Sequence, residues 1–248
     1  MDIIWLSANK FGYELLKETL KIKDANVKAI ITLSRKSNTV MYDGIESKKW
    51  HDFGIEVIET YDLNKIKEKI KKTSPDLIIM CGWRQIIGKE ILSIPKKGFI
   101  GFHPSLLPKG RGPAPIINSI LEGFKESGVT MYYVSEGLDD GDIIGQEKFV
   151  INENDHAGNV YEKVIEAGKK LIAKNIPLLL EGKAKRKPQN NRKATYFKKL
   201  ILENNEINLD ESLENIHRKI RALSKPYRGA YIKKYGKKLI IWRAEMEK

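Results

Sequence analysis

Apolar positions in the first 180 residues fall into two alternating rhythms. Short runs at DIIWL (2–6), VKAIITL (27–33), IEVIE (55–59), DLIIMCGW (76–83) and GFIGF (98–102) are apolar almost throughout, as strands covered on both faces are. Between them, segments such as GYELLKETLKI (12–22) and NKIKEKIKKT (64–73) repeat their apolar residues at helical spacing. The alternation predicts an α/β fold: a doubly wound, mostly parallel sheet with helices on both faces. GVTMYYV (128–134) and IIGQEKFVI (143–151) read as later strands, and a long helix from about Asn159 to Glu181 is expected to close the unit. The periodicity stops in EGKAKRKPQNNRKATY (181–196), which predicts a domain over 1–183 and a short α+β subdomain over 184–248. No internal repeat is visible.

Composition narrows the function classes. With 41% hydrophobic and 31% charged residues in 248, the chain has material for a folded core and is not a disordered sequence. Its single cysteine, Cys81, excludes an internal disulfide. The four histidines, His51, His103, His156 and His217, are too scattered to suggest a zinc site, so no metal is expected. The N-terminus passes from a four-residue apolar run into polar residues, and no apolar segment reaches membrane length, so a cytoplasmic protein with no membrane partner is expected.

Charge sharpens the boundary. Residues 1–180 hold 26 basic and 24 acidic side chains, whereas residues 181–248 hold 19 and 8. Two readings of this basic tail stay open: a solvated, lysine-rich surface, or a patch facing an anion such as a nucleotide, a sugar diphosphate or RNA.

Two loops at predicted strand ends offer chemistry. LSANKFGYE (6–14) places Ser7, Asn9 and Lys10 before a helix, where free N–H groups favour an anion and where Ser7 or Asn9 also serves as an ordinary cap. GFHPSLLPKGRGPAPI (101–116) sets His103 directly before Pro104, which biases it toward extended backbone, and Pro108, Pro113 and Pro115 restrict the loop around it. Ligands gather beyond the carboxyl ends of such sheets, where His103 falls. A partner for the imidazole is available 36 residues on, in the acidic turn SEGLDDGDII (135–144). A carboxylate there would suit proton transfer near neutral pH, and a plain glycine turn with solvated acids is the competing reading.

HPSLLPKGRG followed by GVTMYYVSEGLDDGDII resembles the signature of the formyltransferases that use 10-formyltetrahydrofolate. That group includes glycinamide ribonucleotide, methionyl-tRNA and nucleotide-sugar amino formyltransferases. CGWRQIIGKEIL (81–92) is similar to the family's folate-contacting segment, and the spacing from His103 to Asp139 is the family's usual one. Together these stretches cover most of residues 1–180. The resemblance implies that His103 and Asp139 are catalytic and that 10-formyltetrahydrofolate is the formyl donor, with no metal. It implies a folate ring lying along Trp83, Arg84, Gln85, Ile86 and Ile87, with Gly137, Leu138 and Asp142 as the other wall. Plain core packing is the alternative for Ile86 and Ile87, and a buried strand end for Trp83. Lys109 and Arg111, with Asn9 and Lys10 across the sheet end, are candidates to bind the acceptor; solvent-exposed loop cations are the competing view of the first two.

Residues 194–245 resemble the segment that follows the catalytic domain in the methionyl-tRNA and amino-sugar members. The brevity of this stretch favours a nucleotide-linked amino sugar as acceptor, while its basic charge favours tRNA. One departure stands out: the family's triad is Asn, His and Asp, and Gly101 holds the asparagine position. Losing such an oxyanion donor costs roughly 2.7–4 kcal/mol, about a hundred- to a thousandfold in rate. A backbone N–H or water in its place, a shift toward hydrolysis of the formyl donor, or a slow or inactive enzyme would each account for it; replacement is the reading taken forward. The strands expected in GAYIKKYG and KKLIIWRAE carry apolar residues that a homodimer would pair.

Overall fold

The computed structural model describes residues 1–201 and 205–247. Five strands, β1 (Asp2–Ser7), β2 (Asn26–Leu33), β3 (Glu56–Thr60), β4 (Leu77–Cys81) and β5 (Phe99–His103), run parallel. Two more, β6 (Glu126–Tyr133) and β7 (Ile143–Val150), extend the sheet antiparallel, giving the order β3-β2-β1-β4-β5-β6-β7. The order reverses at β1 and β4, so the crevice beyond their carboxyl ends is the ligand position typical of an open α/β sheet.

Helices α1 (Lys10–Thr19), α2 (Lys67–Thr73), α3 (Lys89–Leu92), α4 (Pro115–Leu121) and α5 (Ala157–Leu180) connect and cover the strands. Asn9 starts α1 by accepting the Gly12 N–H at 3.0 Å, and Pro115 supplies a fixed φ at the start of α4. Helix α5 begins two residues before the periodic pattern predicts. There the Asn159 side chain accepts the His156 N–H at 3.0 Å, which satisfies a free backbone donor and sets the start. Along α5, Val160, Val164, Leu171, Ile172 and Ile176 form the stripe that packs on α1, β6 and β7. One buried cluster lies on the α1 and α5 side, and a second, with Ile4, Leu6, Ile31, Ile70 and Ile78, covers the opposite face.

The tail is laced into this unit. Residues 187–197 run back along it, with Lys187 bridging to Ile143 at the start of β7 and Tyr196 bridging to Arg111. Helix α6 (Leu213–Leu223) packs on α4, and Ile220, Ala222, Leu223 and Ala230 belong to the same buried cluster as Trp5 and Leu15. Strands β8 (Ala230–Lys234) and β9 (Lys237–Ile241) form a separate hairpin. Among the described residues no helix is long and apolar enough to cross a membrane.

Candidate active site

Strand β5 ends on His103, and the turn after β6 brings Asp139 to it, with Asp139 Oδ2 lying 3.6 Å from His103 Nδ1. That separation is longer than a hydrogen bond, so the two groups face each other across a gap. The other ring nitrogen, Nε2, lies 2.7 Å from the Gly110 carbonyl oxygen. A carbonyl only accepts, so Nε2 carries a hydrogen and Nδ1 is the nitrogen that faces the carboxylate. Asp139 is itself held from two sides: the Gly112 N–H donates to Oδ2 at 2.9 Å, and the Tyr132 hydroxyl donates to Oδ1 at 2.7 Å. Burial, and then the charge of Asp139, push the Tyr132 phenol well above its usual pKa, so it stays a donor.

The loop after His103 is fixed from within and from the tail. Ser105 donates to the Lys109 carbonyl, and Thr130 donates to the Ser105 carbonyl. Gly110 adopts φ +69°, and a Cβ there would lie 2.4 Å from the Phe197 ring, so only glycine fits. Arg111 is buried rather than facing solvent. Its guanidinium donates to Gln189 Oε1, Asn191 Oδ1 and the Tyr196 hydroxyl, at 2.8 to 3.1 Å. It therefore braces the loop against residues 189–196, while Lys109 stays exposed.

The segment after β4 presents a mixed surface. Trp83 and Ile87 are buried, whereas Ile86 is 98% exposed, which removes the core-packing reading for Ile86. The Trp83 indole N–H is buried without a hydrogen-bond partner among the described residues. Arg84 and Gln85 turn their side chains toward neighbouring loops: Arg84 donates to the Val40 carbonyl at 2.8 Å and Gln85 to the Tyr61 carbonyl at 2.8 Å. On the facing turn, Leu138 is 57% exposed, and a Lys89–Glu136 ion pair at 3.1 Å ties the two segments together. Asp142 lies 3.6 Å from Arg186 Nε, and a Cβ on Gly137 would strike the Asp140 carboxylate.

Asn9 and Lys10 sit at the neighbouring strand end. Besides capping α1, Asn9 donates through Nδ2 to Asp43 Oδ2 at 2.9 Å, and the Tyr161 hydroxyl donates to the same oxygen at 2.5 Å. Lys10 pairs with Glu162. Lys10, Asp43, Tyr161 and Glu162, but not Asn9, border a cavity of about 600 Å³ whose further walls are Tyr42, Lys225, Tyr227 and Trp242; neither His103 nor Asp139 lines it. Arg84 and Arg228 lie over the Tyr42 ring, and Lys225 lies over Trp242. Phe11, next to Lys10, packs edge-on against Phe102, next to His103, so the two centres are neighbours across the sheet end. Asp43, Tyr161 and Tyr132 escaped the sequence reading. Asp43 lies in an aperiodic loop, and the two tyrosines sit inside segments whose pattern reports only packing. Among the described residues no cluster of three or more His, Cys, Asp or Glu side chains is placed to hold a metal ion.

Comparison with known proteins adds an independent finding. Residues 3–176 match the family model Formyl transferase, and residues 199–248 match Formyl transferase, C-terminal domain. A methionyl-tRNA formyltransferase of Halalkalibacterium halodurans is 41% identical over 178 residues, 72% of this chain; the match spans 56% of that relative's length. An N-formyltransferase from Helicobacter canadensis, solved in complex with folinic acid and dTDP-3-aminofucose, is similar at 28% identity and TM-score 0.70 over 89% of this chain and 79% of that one. A 4-N formyltransferase from Francisella tularensis is similar at 25% identity and TM-score 0.79, with 100% of this chain and 98% of that chain covered.

Proposed function

Because the chain belongs to the formyl transferase family, we propose that it passes a formyl group from 10-formyltetrahydrofolate to a primary amine, with His103 and Asp139 as the reacting pair. The facing arrangement of His103 Nδ1 and Asp139 Oδ2 at 3.6 Å carries this reading. A reduced pterin suits the segment at 83–87 and the turn at 136–142. Exposed Ile86 and Leu138 offer apolar surface, and the unpartnered Trp83 N–H offers a donor to a ring acceptor. When bound, 10-formyltetrahydrofolate supplies the formyl group. Asp139 takes the proton the amine releases as it gains that group, and His103 delivers one from Nδ1 to the leaving nitrogen. A proton returned from Asp139 to Nδ1, through one bridging water or on closure of the 3.6 Å separation to hydrogen-bond distance, restores the pair, while the Gly110 carbonyl holds the ring in place throughout.

The acceptor we infer is a nucleotide-linked amino sugar. A cavity of about 600 Å³, with aromatic walls at Tyr42, Tyr227 and Trp242 and cations at Lys10 and Lys225, is of small-molecule size and suits a base and a diphosphate. The 41% identity to a methionyl-tRNA formyltransferase and the basic tail favour methionyl-tRNA as the second reading.

The test is turnover of 10-formyltetrahydrofolate against a nucleotide-linked amino sugar, charged initiator tRNA and no amine. Formylated sugar with little salt dependence is the expected result. Formylation of tRNA alone, with a rate falling about a thousandfold or more between 50 and 200 mM salt, would replace it by the second reading. Release of formate without any amine would favour hydrolysis.

A further inference from the structure

The asparagine position of the triad is not simply vacant in side-chain terms, because the strand beside it fills the space. Gly101 on β5 pairs directly with Tyr132 on β6, so their side chains belong to one face of the sheet. A Cβ on Gly101 would lie 2.9 Å from Tyr132 Cε1, 3.0 Å from Cζ and 2.9 Å from Val134 Cγ2. Real Cβ atoms do not approach ring carbons so closely, so the ring occupies the volume that any side chain at 101 needs. Tyr132 is buried, packed with Leu107 and Ile143, which leaves its ring no easy retreat. Its hydroxyl reaches past Gly101 to Asp139 Oδ1 at 2.7 Å, and is thereby committed to the carboxylate rather than to a substrate oxygen.

We propose that Gly101 and Tyr132 act as a coupled pair in which the missing side chain at 101 admits a tyrosine that orients the Asp139 carboxylate toward His103. Tyr132 is then a positioning residue. Its hydroxyl holds Oδ1 while the Gly112 N–H holds Oδ2, and the two donors together fix the direction in which the carboxylate faces Nδ1. Asp139 lies outside the strands, in the turn between β6 and β7, on a left-handed backbone at φ +49°. Restoring an asparagine at 101 therefore does not repair the triad: the amide collides with the ring, and the carboxylate loses its donor when the ring moves.

This inference rests on the reading of His103 and Asp139 as the reacting pair, so the experiment separates the two. Formyl transfer and the ring-nitrogen NMR signals of His103, assigned by the loss of peaks in His103→Ala, are measured for wild type, Tyr132→Phe, Asp139→Asn and Gly101→Asn across pH. Tyr132→Phe keeps the ring and its packing. It is expected to lower kcat about ten- to a hundredfold, the range of a hydrogen bond to a charged group, with KM for both substrates nearly unchanged. Because the lost bond held the carboxylate that faces Nδ1, the His103 signals should shift in the same direction as in Asp139→Asn but by less. Gly101→Asn is expected to lose activity, because its side chain meets both the Tyr132 ring and Val134. Wild-type kinetics and unshifted His103 signals in Tyr132→Phe, with Asp139→Asn inactive, would overturn the coupled pair and leave the reacting pair intact. An active Asp139→Asn would overturn both, and a faster Gly101→Asn would overturn the steric half.

Discussion

Around His103 the polar groups are buried and engaged, each ring nitrogen or carboxylate oxygen facing a partner between 2.7 and 3.6 Å away. Around Trp242, some residues along the chain and just past the hairpin, cations lie loosely over aromatic faces at the mouth of a cavity, with Lys225 5.6 Å from the Trp242 ring centre. The first arrangement gives up adaptability for direction, since buried polar groups act strongly only when geometry is fixed. The second keeps solvent and gives up strength, since an exposed cation over a ring is worth only about 0.5–1 kcal/mol. On our reading, chemistry is assigned to the region that cannot rearrange and recognition to the region that can.

Substitutions can break this contrast or sharpen it. The largest effect belongs to the buried pair: His103→Ala and Asp139→Asn should each lower formyl transfer about a hundred- to ten-thousandfold in a single-turnover assay, with little change in folding. Arg111→Ala comes next and acts on stability. It removes a buried side chain and the donor to Gln189 Oε1 and Asn191 Oδ1, and should cost about 1–3 kcal/mol in a denaturant titration. If Arg111 instead served the acceptor, stability would hold and KM would rise. Trp242→Ala should show the smallest change, a two- to fivefold rise in acceptor KM with kcat and donor KM unaffected. A collapse of kcat in that variant would erase the division between the two regions.

The same contrast explains what could be read in the sequence. Strands β1 to β7 follow apolar runs whose burial leaves a strong pattern, and the doubly wound, mostly parallel sheet appears as the alternation implies. The approach of His103 to Asp139 follows from their positions at two strand ends and from the family's motif spacing. The supporting shell was not legible. GVTMYYV announces a strand but not which tyrosine turns toward the acidic turn, and nothing local marks Asp43 as the acceptor for both Asn9 and Tyr161. Arg111 read as an acceptor-binding candidate or a solvent-exposed loop cation because the residues that satisfy it lie 78 to 85 positions away. Gly101 was legible as a departure from the family's asparagine but not as the partner of Tyr132, because the register that sets the two opposite each other is a property of the folded sheet.

The return of residues 187–197 beneath the histidine loop gives the charged tail a second kind of importance. Thr195 accepts the Gly110 N–H through its hydroxyl, and Gln189 ties to the carbonyls of both Asp139 and Gly141. The stretch that reads as a domain boundary is the buckle that ties the loop carrying His103 to the turn carrying Asp139, so a change in how the tail is held would pass directly to both.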